Sequence, residues 1–466
     1  MVTIGSGLHA ATSADVVILG GGVAGYALAL ALRAAETDGH ASTATVDAPT
    51  PRRRARRIVV VASGAQIRRL RVDDALPDAA ATLLRRLGLD PADYRPIDDG
   101  SAVRVTHAAW SLPQLTSHVF DFGVPDAHRA RPIARRRLLD ALEARARAVG
   151  IHVWTDTRLR TAVASGSGAQ AIPDDWRLVL EQPHGDVHVR ARFVVDATGR
   201  RMRFAQMQGA QRLRDDHAVI AWRALPRADV ATLARLPPIV AEGDDGRGRP
   251  PGARWIEAVP TGWWASAPAV EDPDRLVIAQ LTDADQLRTG DGDPRLAARQ
   301  WRSALRATIY TCARWRRTRD ADGDHASAPV RIADASVGRL DRLSGPRWLA
   351  VGSAAATFDP LAASGLFEAL RGGLLAADAV RAHLAGAPDA LARYAHAVGA
   401  RHEQHVRTRA LIYGAVTRFA SCRFWSRRIA ADAVASPTPA PRPPAAQPVP
   451  VVFSAGSWSG IVAPGS

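Results

Sequence analysis

One segment near the amino terminus restricts the fold of this chain more than any other. Residues 15–33 read DVVILGGGVAGYALALALR, an apolar strand followed by Gly20, Gly22 and Gly25 and then by an apolar helix. The first glycine allows a tight turn, the second lets a pyrophosphate approach the backbone, and the third lets the helix pack closely on the strand. Because the amino terminus of the helix then faces the phosphates, the segment predicts an α/β fold that binds a dinucleotide.

A second segment of this kind lies toward the other end of the chain. Residues 348–373 read WLAVGSAAATFDPLAASGLFEALRGG, in which an apolar strand reaches Gly352, passes Asp359-Pro360 and enters a helix near Gly365. This order of strand, turn and helix is similar to the second half of a flavin site. The two segments together predict one cofactor that is held from two distant parts of the sequence.

Composition excludes several other classes of protein. The 466 residues are 47% apolar, which favours a soluble globular protein. The formal charge of +15 comes from dispersed arginines in a chain without lysine, which favours a solvated surface over nucleic-acid binding. Cys312 and Cys422 are too few for a disulfide framework or a thiolate metal cluster, so we expect a cytoplasmic protein without a metal.

The amino terminus does not resemble a secretion signal. Residues 16–32 are uncharged and long enough to raise the possibility of a membrane span. Four of the six residues from Gly20 to Gly25 are glycine, which fits a buried strand, turn and helix better. We therefore expect no membrane association.

Changes in composition along the chain predict a discontinuous α/β domain. Short alternating runs separated by Pro, Gly and Asp indicate an antiparallel sheet inserted between its two parts. A polar loop insertion at 36–57 is interpreted as solvated, with docking to an acidic partner left open. The predicted regions are a flexible terminus (1–14), the first part of the α/β domain (15–214), a substrate domain (215–330), the second part (331–385), a helical region (386–435) and a disordered Pro- and Ala-rich tail (436–466).

Two further strand ends are candidate cofactor contacts. The strand that ends in VVDATGR brings Asp196 and Gly199 to the edge where α/β sheets bind ligands. The second strand ends in VVVASG, with Ala62 or Ser63 where an acidic residue would bind a ribose. The ribose contact is therefore missing or is made by Ser63, and its loss weakens binding by about 1.5–3 kcal/mol if nothing compensates.

At this point the sequence resembles a known family. The segment SVGRLDRLSGPRWLAVGSAAATFDPLAASGLFEALRGGLLAADAV resembles the flavin-binding signature of the tryptophan-halogenase-like branch of FAD-dependent monooxygenases. The resemblance covers most of residues 15–430. Other blocks resemble that branch in the same order, namely LRVDDALP, IARRRLLDAL, VVDATGRR, VPTGWWASAP and TRFASCRFWSRR.

The resemblance implies a fold and a reaction. The fold would be α/β, with an FAD-binding Rossmann-like domain of the hydroxylase type, an inserted antiparallel β-sheet substrate domain and a C-terminal helical region. Within the branch, the chain looks most like flavoproteins that mature the quinone cofactors of amine dehydrogenases and amino-acid oxidases. These oxygenate a Trp side chain of a partner polypeptide. The implied reaction is hydroxylation of an aromatic substrate through a flavin C4a-hydroperoxide, with NADH, NADPH or a separate flavin reductase as electron source.

The resemblance also implies roles for individual residues. Ser353 stands where these proteins normally have an Asp, and it offers the ribityl chain about 1 kcal/mol where a charged acceptor gives about twice as much. Asp73 and Asp74 stand where the branch has Gly-Glu, and we expect both to be solvated. The implied FAD contacts are Gly20, Gly22 and Gly25 at the pyrophosphate, Arg135 at the phosphates or ribose, Gly352 and Ser353 at the ribityl chain, and Asp359, Pro360 and Gly365 around the isoalloxazine ring, with Ser63, Asp196 and Gly199 as further candidates.

Aromatic side chains are the candidates for the substrate pocket. His107, Trp110, Trp263 and Trp264 could enclose an indole or a phenol. Two alternatives remain open: the Trp pair could divide between opposite faces of a strand, and His107 could be a satisfied polar residue.

Other functions also remain open. Halogenases of the branch need a Lys beside the substrate, and this chain has none, which disfavours halogenation. A small-molecule hydroxylase or reductase of a biosynthetic pathway and a non-catalytic scaffold with the FAD fold are the alternatives to a protein hydroxylase.

Overall fold

The computed structural model describes most of the chain between residues 12 and 429. The described ranges are 12–41, 55–64, 74–94, 105–165, 175–227, 253–272, 274–287, 294–319 and 330–429. The predicted tail at 436–466, most of the predicted terminus and loop insertion, and Asp73 lie outside them.

Within the described ranges, the strands form two large sheets and two small ones. In chain order the strands are β1 (Thr12–Leu19), β2 (Ile58–Val61), β3 (Ala75–Leu76), β4 (Thr106–Ala109), β5 (Thr116–Ser117), β6 (Arg131–Pro132), β7 (His152–Trp154), β8 (Arg158–Ser165), β9 (Asp175–Gln182), β10 (Gly185–Asp196), β11 (Arg212–Arg214), β12 (Ala218–Pro226), β13 (Arg254–Val259), β14 (Gly262–Pro268), β15 (Arg275–Asp283), β16 (Arg331–Asp334), β17 (Gly338–Leu340), β18 (Ser344–Gly345), β19 (Trp348–Ala350) and β20 (Ala356–Thr357).

Helices cover these sheets. In the described ranges they are α1 (Val23–Ala41), α2 (Ala79–Arg86), α3 (Pro91–Tyr94), α4 (Arg135–Ala148), α5 (Arg203–Met207), α6 (Pro294–Arg306), α7 (Tyr310–Trp315), α8 (Gly365–Leu384), α9 (Ala390–Gly414) and α10 (Arg423–Ile429).

The first large sheet has a parallel core. Its order is β18-β19-β10-β1-β2-β7, and the five strands from β19 to β7 run parallel. The β2 sequence IVVV is buried at every position, as expected for a parallel strand covered on both faces. Helices α1, α4 and α8 cover one face, and the antiparallel strands β8 and β9 extend the sheet alongside β10.

The register brings the ends of the five parallel strands to one line. Leu19 is level with Val61 on one side and with Asp196 on the other. Asp196 is level with Ala350, and Val61 is level with Trp154. The turns that follow these residues therefore lie side by side at the carboxyl edge of the sheet, where ligands bind in this class of fold.

The second large sheet is mainly antiparallel and extends beyond the predicted substrate domain. Its order is β16-β12-β15-β14-β13-β4-β5, with β4 parallel to β13. Strands β4 and β5 come from within 15–214 and β16 from after residue 330, so the predicted boundaries of 215–330 are too narrow. The four-residue strand THAA is too short to show the alternation of apolar and polar residues by which a strand is predicted.

Helix α1 is longer than predicted and runs into the segment interpreted as a loop insertion. Glu36 accepts hydrogen bonds from Arg33, one turn earlier, and from Arg56, just before β2. The Arg33 bond lies within the helix, whereas the Arg56 bond ties this part of the helix to the start of the neighbouring strand.

The helices of the described ranges include none with both the length and the apolar character that a bilayer span requires. No group of three or more His, Cys, Asp and Glu side chains suited to a metal ion occurs in those ranges.

Candidate cofactor-binding site

The turns at the carboxyl edge of the parallel sheet are hydrogen-bonded to one another. Gly20 donates to the carbonyl of Val61 at 2.8 Å, and Ala197 donates to the carbonyl of Leu19 at 2.9 Å. Val351 donates to the carbonyl of Asp196 at 2.9 Å. The turns after β1, β10 and β19 thus form one continuous edge.

The three glycines at the start of α1 are required for different structural reasons. A Cβ on Gly20, whose φ is +135°, would lie 2.1 Å from the carbonyl oxygen of Ala197, and one on Gly25 would lie 2.1 Å from that of Gly20. A Cβ on Gly22 would meet nothing within 4 Å among the described residues. Packing therefore requires the first and third glycines, whereas the second leaves the room that a pyrophosphate needs in front of the helix.

The Gly352 turn of the second predicted segment packs directly against the first segment. A Cβ on Gly352 would lie 2.6 Å from the Cβ of Ala24, in the first turn of α1. Ser353, which follows it, is exposed. The two segments that the sequence predicts to share one cofactor are therefore in contact at the same edge of the sheet.

Asp196 serves the turn that follows β10. Its side chain is fully buried, and Oδ1 accepts hydrogen bonds from the backbone N–H and the hydroxyl of Thr198 at 2.9 and 2.6 Å. Its Oδ2 accepts from the backbone N–H of Ala205 at 2.8 Å. Burial raises the pKa of Asp196 despite these donors. Because both oxygens bond within the protein, the side chain positions the turn, and a cofactor contact at Asp196 stays a prediction.

Gly199 and Ser63 lie at the same edge of the sheet. Gly199 begins the short 3-10 turn after Asp196, with open space at its Cβ position within the described structure. Ser63 is half-buried, two residues beyond the end of β2. Both stay predicted contacts.

Arg135 begins α4 and is held by an acidic neighbour. Its Nε donates to Oδ2 of Asp74 at 2.7 Å, and a second nitrogen donates to Oδ1. Only 15% of the Asp74 side chain is exposed, so the expectation of a solvated residue is wrong. The sequence pattern missed this pair because its two members are 61 residues apart. A phosphate or ribose contact by Arg135 stays a prediction, and it would be made with the ion pair in place.

The loop predicted to line the isoalloxazine ring is fixed by buried side chains. Oδ1 of Asp359 accepts from the backbone N–H of Leu361 at 2.9 Å, which caps the 3-10 turn Pro360–Ala362. Its Oδ2 accepts from the hydroxyl of Tyr413, and its backbone N–H donates to Nε2 of His405, both at 2.9 Å. The backbone N–H and both carboxylate oxygens of Asp359 thus form hydrogen bonds within the protein.

The electrostatic environment of the loop is set by burial. Burial raises the pKa of Asp359 and lowers the pKa of His405 to about 2, with Arg401 and Arg409 adding to the second effect. His405 is therefore neutral at physiological pH, and its Nε2 can accept the backbone N–H. Burial and, to a smaller extent, the charge of Asp359 raise the pKa of Tyr413. The Tyr413 hydroxyl therefore stays protonated and donates its hydrogen bond.

Helix α9 supplies these contacts from one polar stripe that the sequence interpretation missed. Arg401, His405, Arg409 and Tyr413 recur every fourth residue, and all four are buried. Arg401 pairs with Glu368 of α8, and Arg409 pairs with Asp216. Four polar residues that recur at helical spacing were the available signal.

The start of α8 offers a polar group to a ligand. Ser364 is 3% exposed, and its hydroxyl has no hydrogen-bond partner among the described residues. Pro360 is half-buried, and Gly365 is exposed and begins the helix. A buried, unpartnered hydroxyl at a helix amino terminus fits a polar edge of the flavin ring.

The four candidate pocket residues divide between two faces of the second large sheet. Trp110 and Trp263 lie in one apolar cluster, and Trp264 lies in another cluster, where it contacts Trp301. His107 is level with Trp255 in the register and so shares the face of Trp264. The four therefore do not line one pocket, and the alternative that the Trp pair divides between faces is the one found.

The face with Trp110 and Trp263 is the one that meets the cofactor loop. The indole N–H of Trp263 donates to the hydroxyl of Tyr413 at 2.9 Å, and the rings of Trp110 and Tyr413 meet edge-on at 5.5 Å. On the same face, Arg254 donates to the carbonyl of Leu361 at 3.1 Å. A continuous chain of hydrogen bonds thus runs from Trp263 through Tyr413 to Asp359.

Sequence comparison gives a partial match to a curated protein. No protein-family model matches the chain. LodB of Marinomonas mediterranea, described provisionally as an FAD-dependent oxidoreductase, is 26% identical over 263 residues, which are 56% of this chain and 62% of that protein. The match thus spans less than two thirds of that relative.

Solved structures with the same fold include hydroxylases and a halogenase. QhpG, a peptidyl tryptophan dihydroxylase essential for tryptophylquinone cofactor biogenesis, has a TM-score of 0.62 and 20% identity over 90% of this chain and 79% of its own. The flavin-dependent halogenase CmlS has a TM-score of 0.62 and 20% identity over 90% of this chain and 68% of its own. Aklavinone-11 hydroxylase, solved with FAD and aklavinone, has a TM-score of 0.57 and 18% identity over 88% and 69%. The chain therefore has the fold of the FAD-dependent hydroxylases and halogenases, which confirms the fold class and the resemblance predicted from its sequence.

Proposed function

We propose that this protein is an FAD-dependent monooxygenase that hydroxylates an aromatic substrate, with a Trp side chain of a partner polypeptide as the favoured substrate. The observation that carries the proposal is the contact between the Gly352 turn and the first turn of α1, beside the open space at Gly22. Two glycine-containing turns that meet around such a space suit one extended dinucleotide.

The residues present fit FAD. The pyrophosphate would lie at Gly20–Gly25, the ribityl chain at Gly352 and Ser353, and the ring between Asp359 and Gly365. The unpartnered hydroxyl of Ser364 would meet a polar edge of the ring. When bound, FAD supplies the redox and oxygen chemistry of a monooxygenase.

The chain's own residues position the reaction and exclude water from it. His405 and Tyr413 hold the backbone and the side chain of Asp359, so the loop beneath the ring is fixed before the substrate arrives. The rings of Trp110, Tyr413 and Trp425 pack within 5.5 Å of one another behind that loop. A dry, preorganised wall of this kind suits oxygen transfer, because water would compete with the substrate.

Several observations support an aromatic side chain on a polypeptide. QhpG acts on a peptidyl tryptophan, and this chain lacks the Lys that halogenation would need. Leu112 and Leu411 are 57% and 73% exposed. They are sequence neighbours of Trp110 and Ile412, whose 2.8 Å hydrogen bond brings the two segments together. Exposed apolar side chains beside the second large sheet suit a protein partner.

A small-molecule hydroxylase is the second candidate, because aklavinone-11 hydroxylase shares the fold. In either case we expect the protein to act in the cytoplasm and to receive electrons from NADH, NADPH or a separate flavin reductase.

Single-turnover oxygen transfer tests the proposal. The FAD-loaded protein is reduced without air and mixed with isotopically labelled O₂ and either Trp-containing peptides, the same peptides with Phe in place of Trp, or free aromatic compounds. We expect labelled oxygen in the Trp peptides and no halogenated product when chloride or bromide is present. Label in the free compounds alone would favour the second candidate. Reoxidation without transfer to any of these substrates would contradict both.

A further inference from the structure

The second strand of the parallel sheet lacks the acid that usually binds a ribose, and the structure shows a carboxylate next to that position. The loops after β2 and β7 are joined by two backbone hydrogen bonds. Ala62 donates to the carbonyl of Trp154 at 2.8 Å, and Thr157 donates to the carbonyl of Ala62 at 3.2 Å. The turn after β7 is therefore held beside the end of β2.

Asp156 lies between those two bonds and reaches over the end of β2. A Cβ on Gly64 would lie 2.0 Å from its Oδ1 and 3.1 Å from its Cγ. The carboxylate thus fills the space that a side chain at residue 64 would take. It is exposed, and no described residue forms a hydrogen bond or an ion pair with it.

We propose that Asp156 replaces the missing acid and binds the ribose hydroxyls of the adenosine half of FAD. The inference rests on the proposed function, because it concerns the same cofactor. A carboxylate with two open oxygens can accept both hydroxyls of a vicinal diol, which Ser63 with one hydroxyl cannot do. The acid would come from the turn after β7 instead of the end of β2, and it would still lie at the carboxyl edge of the sheet.

The backbone of Asp156 fits this role and also fits a simpler one. Its φ of +51° lies in the left-handed region, where Asp is more common than most residues. A turn residue would have the same conformation without any ligand. The two roles differ in one respect, since only a ribose-binding carboxylate distinguishes FAD from a flavin that lacks adenosine.

Quenching of flavin fluorescence on binding measures both affinities without any turnover. We expect Asp156→Asn to weaken FAD binding about tenfold and to leave FMN binding unchanged, because FMN has no adenosine. Asp378→Asn, an exposed acid on α8, is the matched control and should leave both affinities unchanged.

Gly64→Ala provides a second route to the same effect. Its methyl group would displace the end of the flexible Asp156 side chain, so we expect it to weaken FAD binding as well. The double variant should be no weaker than Asp156→Asn alone, since both changes remove one contact.

The outcomes separate this inference from the proposed function. Wild-type protein that binds FAD, together with an Asp156→Asn variant of equal FAD affinity, would overturn the role of Asp156 and leave the function standing. Equal loss of FAD and FMN affinity would indicate a turn residue and would also overturn it. A wild-type chain that binds neither flavin would overturn both proposals.

Discussion

The candidate cofactor site has a backbone-built half around Gly20 and Gly352 and a side-chain-built half at the Asp359 loop. The strand ends around Gly20 and Gly352 use backbone N–H groups, glycines and close packing, all supplied by residues near each other in sequence. The loop at Asp359 is instead held by His405 and Tyr413, which lie 46 and 54 residues further along the chain. A site made from backbone geometry is visible in a local sequence pattern, whereas a site made from distant side chains is visible only after the chain has folded.

The largest expected effect contrasts two glycines of the first half. Gly25→Ala places a methyl group 2.1 Å from the rigid backbone oxygen of Gly20, so we expect a loss of more than about 4 kcal/mol of stability or no folded protein. Gly22→Ala meets open space, so we expect stability within about 0.5 kcal/mol of wild type but at least tenfold weaker FAD binding. Thermal unfolding and FAD titration measure the two quantities. If both variants were equally stable, the packing explanation would be wrong.

The second half is tested by removing one hydroxyl. Tyr413→Phe leaves the indole N–H of Trp263 and Oδ2 of Asp359 buried without their partner, so we expect a loss of about 3 kcal/mol. Tyr394→Phe, on the same helix, removes a single bond to the carbonyl of Ala350 and should cost about 1 kcal/mol. Urea unfolding measures both. Equal losses would mean that the chain of hydrogen bonds to Asp359 has no special importance.

The buried His405 of the side-chain-built half makes the stability of the protein depend on pH. The pKa of His405 is about 2 in the folded protein and near 6.5 in the unfolded chain, so the unfolded state binds an extra proton below pH 6.5. Stability is therefore lost as the pH falls, by up to about 2 kcal/mol between pH 6.5 and about 5 from this residue alone. His405→Gln keeps an acceptor for the backbone N–H of Asp359 but does not titrate. Unfolding midpoints over this range should fall more steeply in wild type, and parallel slopes would argue against a buried neutral His405.

A substitution that adds a charge to the backbone-built half should have the smallest effect. Ser353 is exposed beside Gly352, so Ser353→Asp should provide the ribityl chain with a charged acceptor. We expect FAD binding about fivefold tighter than wild type, corresponding to about 1 kcal/mol. Ser353→Ala is the control and should bind slightly more weakly. An Asp variant that binds FAD no better than the Ala variant would place the ribityl chain elsewhere.

The sequence predicts the elements of the backbone-built half closely. The apolar strands predicted before Ala62 and before Gly352 are present as β2 and β19, because an apolar run that ends at a glycine-containing turn is a local signal. Helix α1 runs into the predicted loop insertion at 36–57, where Glu36 pairs with Arg56 just before β2, a contact between residues 20 positions apart.

The side-chain-built half was predicted only in part. Asp359 and its loop were recognised by resemblance, but the polar stripe of α9 that fixes them was not. The sheet face of His107 follows from its register with Trp255, and a short strand carries no sequence signal for the register of a parallel partner. Pairing between distant residues is the information that a single sequence does not display.

Titration of the purified chain with FAD shows directly whether the two halves form one flavin site. We expect quenching of flavin fluorescence with one FAD bound per chain, and at least tenfold weaker binding by a folded Gly22→Ala variant. A folded wild-type chain that neither quenches FAD nor shifts its visible spectrum would contradict the claim that the two halves form one flavin site.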